Sequence, residues 1–66
     1  MSEYRICVLE IENRQLVQHL KFDNKEDAEH YAKNHSSSDN KHLYEVQKND
    51  HGDFATIKSY SQGQVV

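Results

Sequence analysis

The stretch Tyr4 to Ile11 (Tyr-Arg-Ile-Cys-Val-Leu-Glu-Ile) restricts this chain more than any other. Pleated as a strand, it places Tyr4, Ile6 and Val8 on one face and Cys7, Leu9 and Ile11 on the other. Apolar residues on both sides mark a strand that wants cover above and below. The remaining sequence supplies one convincing helix, enough for one side.

A second strand reads from Leu16 to Phe22, with Leu16, Leu20 and Phe22 against Val17, His19 and Lys21. Asn tolerates the positive φ of a tight turn, so Asn13 and Arg14 serve as the two loop residues of a hairpin. That register sets Ile11 opposite Leu16 and Cys7 opposite Leu20, joining the Cys7 face to the Leu20 face as one apolar surface. Tyr4, Ile6, Val8 and Val17 are then left on the other face, diluted by Glu10, His19 and Lys21.

The best helix start follows at Asp23-Asn24-Lys25-Glu26-Asp27. Asp23 or Asn24 caps the first free amides, with Glu26 or Asp27 three residues on completing a capping box. Ala28, Tyr31, Ala32 and His35 recur at i, i+3, i+4 and i+7, a narrow stripe whose alanines allow close approach to a sheet. The helix is expected to stop near Asn34 or His35, and Ser36 to Lys41 to form a loop.

His42 to Lys48 and Phe54 to Tyr60 read as a second pair of strands around a turn in which Gly52 can take left-handed backbone. Pairing Asn49 with Phe54 sets Val46 opposite Ile57 and Glu45 opposite Lys58. The predicted fold is α+β, a small antiparallel sheet of about four strands (β-β-α-β-β) with one helix packed on one face. Residues 1–60 make the single domain, and residues 61–66 a flexible C-terminal tail. The opening Met-Ser-Glu reads as the start of a complete short protein, bacterial or phage-like in its economy.

Size sharpens the question of cover. A 66-residue chain buries only about 60% of the surface its unfolded form exposes. Four strands span about 19 Å, whereas a helix is about 10 Å across and covers two of them. The uncovered face, carrying Tyr4, Ile6, Val8, Val17 and His19, is the expected docking surface. A homodimer uses such a patch twice.

Other chemistry is weakly signalled. Net charge is −3 and the eight basic residues stand singly, unlike the basic stripe of a nucleic-acid binder. No apolar run approaches a membrane span, and no secretory signal is present. Cys7 is alone, so no intramolecular disulfide forms, and its strand position suits a buried thiol in a reducing, cytoplasmic compartment. The three serines Ser36 to Ser38 lack the context of a nucleophile, and a domain this small offers little concavity for catalysis. No enzyme activity and no cofactor is expected.

The five histidines His19, His30, His35, His42 and His51 raise the alternative of a small-molecule- or metal-binding protein. Only Glu26 and His30 share a helix face at ligand spacing, however, and no paired His or Cys motif accompanies them. The sequence therefore favours a protein-interaction or regulatory module, partnered by itself or by another protein.

Overall fold

The structure is a computed structural model and describes residues 3–66. Its elements are β1 (Tyr4–Glu10), β2 (Leu16–Phe22), α1 (Lys25–Ser37), β3 (His42–Asp50), β4 (Asp53–Ser61) and β5 (Gln64–Val65). The strands form one antiparallel sheet in the order β2-β1-β3-β4-β5, with α1 across one face. The α+β architecture matches the one read from the sequence, with one strand more. Part of the expected tail turns back as β5, through Gln62 and Gly63 in left-handed backbone, the geometry of a tight hairpin turn.

Asn24 is the helix cap. Its side-chain oxygen accepts from the Asp27 N–H at 2.8 Å, and its amide donates back to the Asp27 carboxylate at 3.0 Å. The first turn's free amide and the acid beside it are thus satisfied reciprocally. Ala28, Ala32 and Ser36 are fully buried, so three small side chains let the helix lie close on the sheet. α1 runs two residues past its expected end. The Ser36 and Ser37 hydroxyls donate to the Lys33 and Asn34 carbonyls, the second of which is among the four acceptors the last turn would otherwise leave free.

Beneath the helix lie Ile6, Val8, Tyr44, Val46 and Tyr60, with Tyr4, Phe22 and Tyr31 packed around them. This corrects the sequence reading, in which the Ile6 face was the uncovered one. The physical cause is a β-bulge. Pairing runs Ile6 with Leu20 and Val8 with Gln18, then slips so that Leu9 lies opposite Leu16. The β1–β2 loop is longer than expected, since the Glu10 N–H reaches the Gln15 carbonyl at 3.0 Å. That change alone shifts the register by an even number and keeps the faces. The surplus residue Val17 adds one more, and a one-residue slip turns every side chain of the partner strand to the other side. Leu20 and Phe22 stay with the core as expected, but they meet Ile6 and Tyr4 rather than Cys7.

A second bulge repeats the pattern. Asn49 pairs with Phe54 as expected, yet Val46 lies opposite Lys58 and Glu45 opposite Ser59, because Ile57 is surplus. The expected Glu45–Lys58 pair is therefore absent. Lys58 instead reaches Glu29 on the helix at 3.5 Å, where Lys25 also approaches at 3.8 Å.

Candidate functional site: the uncovered sheet face

Alternation from the core residues fixes the composition of the outer face. Opposite Ile6 and Val8 are Arg5, Cys7 and Leu9 on β1. Their neighbours on β3 are Gln47, Glu45 and Leu43, and on β2 they are Lys21, His19 and Leu16. The molecule measures 31 × 23 × 17 Å. Packed sheet layers lie about 10 Å apart, so the shortest dimension holds the sheet and its helix and no second cover.

The polar half of this face is bonded to itself. Arg5 Nε donates to Gln47 Oε1 at 2.6 Å, and the Gln47 amide donates to Thr56 Oγ1 at 3.1 Å. The Arg5 guanidinium also lies 3.9 Å above the centre of the Phe54 ring, a cation–π contact that shields the ring's face. Cys7 Sγ donates weakly to the same Gln47 oxygen at 3.4 Å. Burial pushes the Cys7 thiol above its ordinary pKa, Arg5 opposes this and Glu45 reinforces it. Thiolate chemistry is disfavoured there.

The apolar half is different. Leu16, Leu9 and Leu43 lie side by side across β2, β1 and β3. Leu43 is buried and Leu9 half-buried, but Leu16 is 56% exposed and the surplus Val17 beside it 53% exposed. Gln18 faces the helix side, so Val17 alternates outward and joins Leu16. By the same counting Ile57, 41% exposed, projects from β4 on this face. Both bulges thus add an apolar side chain to the side that has no cover.

The expected docking residues separate accordingly. Ile6 and Val8 are core and Tyr4 is half-buried beside it, whereas Val17 and His19 are exposed on the opposite face. Arg5 carried the missed signal. It shares a face with Cys7 and Leu9, as Glu45 and Gln47 do with Leu43, and such a face does not go under a helix.

The histidines are dispersed: His19 on β2, His30 and His35 on α1, His42 at the start of β3 and His51 in the β3–β4 turn. Among the described residues, no group of three or more His, Cys, Asp or Glu side chains is placed to hold a metal ion. His42 Nδ1 lies 2.8 Å from Asp39 Oδ2, which also accepts from the Tyr44 hydroxyl at 3.0 Å, while Asp39 Oδ1 accepts from the Lys41 N–H. This knot ties the α1–β3 connection to the core.

Two grooves flank the sheet. One of about 530 Å³ lies between the β1–β2 loop and the start of β3, lined by Glu10, Ile11, Glu12 and His42 among others. The second, about 400 Å³, runs between Phe22 of β2 and the α1 residues Asp27, His30, Tyr31, Asn34 and His35. Phe22 and Tyr31 meet at 5.4 Å between ring centres, and His35 stacks on Tyr31 at 3.8 Å. Among the described residues no helix is long and apolar enough to cross a membrane. No protein-family model, no curated protein and no solved structure matches this chain.

Proposed function

We propose that this chain is a small cytoplasmic protein-interaction module that docks through the uncovered face of its sheet, with a second copy of itself as partner. One observation carries the reading: Leu16 and Val17, each more than half exposed, stand beside half-buried Leu9 and buried Leu43 on the sheet face opposite α1. Area supports a symmetric pair. Four strands by about eight residues present about 19 × 26 Å, so two copies enclose on the order of 1,000 Å² before side-chain relief is added. A specific interface needs about that much. A two-fold axis also lets each leucine corner be used twice.

The test is sedimentation velocity at tens of micromolar on the protein and on Leu16→Lys and Val17→Lys. Both positions are more than half exposed, so the variants should fold normally, and each should convert a dimer into a monomer. Ile6→Lys is the contrast, because a charge in the core should unfold the chain rather than dissociate it. A wild-type monomer throughout the concentration range, or variants that sediment as the wild type does, would remove the reading.

A further inference from the structure

The two edges of the sheet are finished differently. On one side β5 pairs with Tyr60 and Ser61, and the Val66 N–H reaches the Ser59 carbonyl at 2.9 Å, so the end of β4 is closed by the chain itself. On the other side β2 stands as a seven-residue edge. Proline, an inward charge or a very short length would blunt such an edge. None of these is found in β2, but Lys21 on its outer face and the bulge at Val17 both discourage pairing with a like edge. The regular ladder open to a strand of opposite charge is therefore Gln18 to Phe22. Its outward backbone groups remain unpaired within the described chain.

The 400 Å³ groove lies on the helix side of this same edge, and Phe22 belongs to both. A strand laid along β2 would direct alternate side chains toward the helix side and the outer side. Its helix-side residue beside Phe22 would enter the groove, against the Tyr31 ring and the His35 ring stacked on it. Its outer-side residues would meet His19 and Lys21. Between Leu16 and Phe22 there is no carboxylate, whereas Asp27 lines the groove on the helix side. An acidic residue of the added strand is therefore favoured on the outer side, beside Lys21, and disfavoured in the groove.

We propose that β2 and the groove beside it receive an extended peptide segment of another protein, added as a sixth strand, with an apolar side chain in the groove and an acidic one beside Lys21. Backbone pairing supplies affinity and the two side-chain positions supply selectivity, as in other cases of strand addition. The site shares β2 with the leucine corner, but its apolar pocket lies on the helix side, whereas self-association uses the outer face.

The experiment selects binders from a displayed library of random twelve-residue peptides on the whole protein. The best of them, made synthetically, is then titrated by fluorescence anisotropy and followed by amide hydrogen exchange. Enriched peptides should alternate apolar and acidic residues, and their binding should slow exchange along Gln18 to Phe22. Two surface variants test the two contacts. Asn34→Trp, which fills the groove, and Lys21→Glu, which reverses the charge, should each weaken binding at least tenfold. A peptide with lysine in place of its glutamate should recover affinity for Lys21→Glu. The proposal is overturned if no peptide is enriched, if both variants bind as the wild type does, or if protection falls elsewhere than β2. Asn34 lines the helix-side groove and not the outer face, so Asn34→Trp should leave sedimentation unchanged while it weakens the peptide, and the two readings fail independently.

Discussion

Gly63→Ala tests how the C-terminal hairpin is held to the helix. Gly63 has φ of +80°, and a Cβ built on it would lie 2.9 Å from the Ser37 Cβ and 3.3 Å from the Ser37 Cα. Left-handed backbone costs an L-residue about 1–2 kcal/mol. The added methyl must also push the β4–β5 turn off the helix, which loosens the 3.1 Å hydrogen bond from the Gly63 N–H to the fully buried Ser36 hydroxyl. Losing a bond of that kind costs about 1 kcal/mol. Reduced freedom of the unfolded chain returns about 0.4–1 kcal/mol. The net loss is therefore about 2 kcal/mol, a large share of the ~3–5 kcal/mol that a core of this size supplies. At about 4–8 °C per kcal/mol, the melting temperature should fall by about 8–16 °C. Gly52→Ala is the internal control, since its φ is +93° but a Cβ there meets nothing within 4 Å, leaving only the backbone penalty. Thermal and urea melts of the three proteins, followed by circular dichroism, read the difference. If Gly63→Ala and Gly52→Ala agree within about 0.5 kcal/mol, the margin of an ordinary surface change, then the close approach to Ser37 contributes nothing.

Three further outcomes follow from the titrating groups. Burial works to raise the Asp39 pKa, but the Lys41 N–H, His42 and the Tyr44 hydroxyl outweigh it and hold the carboxyl below its ordinary value. A depressed carboxyl contributes stability above its unfolded pKa of about 3.9 and loses it as pH falls through the lower folded value. Urea midpoints should thus decline through this acid range in the wild type and less steeply in Asp39→Asn, and equal slopes would refute the assignment. Burial and then Asp39 push the Tyr44 hydroxyl up to about 12, so in an alkaline absorbance titration the last tyrosine to ionise should ionise earlier in Asp39→Asn. Cys7, 7% exposed with its pKa raised by burial, should react with a disulfide reagent at the rate of global unfolding. Immediate reaction of the native protein would show that the thiol is open.

Much of the architecture could be read from residue order because it rests on local chemistry. The Asn24–Asp27 cap, the alanine pair Ala28 and Ala32, and the Asn49–Phe54 hairpin register all arise within a few residues of one another. The facing of β1 does not. Tyr4, Ile6 and Val8 are as apolar as Cys7 and Leu9, so alternation within the strand cannot choose between them. The choice is made by β3, where Val46 and Tyr44 meet Ile6 and Val8 while Gln47 and Glu45 meet Arg5 and Cys7. Bulges are invisible to a count of alternating residues, and one at Val17 was enough to exchange the two faces of β1. The fifth strand was missed for a simpler reason: two residues carry no period, and only Gly63 announced the turn before them.

Val17 is a passenger in its own hairpin. Remove it, and Leu16 remains opposite Leu9, Gln18 remains opposite Val8, and the ladder becomes regular with every inner side chain still inside. Excising Leu16 or Gln18 instead would also close the bulge, but with Val17 moved into the lost residue's place. A single codon can therefore be lost here without disturbing the scaffold, and the same holds for Ile57 on the far side of the sheet. Without Val17 and Ile57 the outer face would lose two of its exposed apolar side chains.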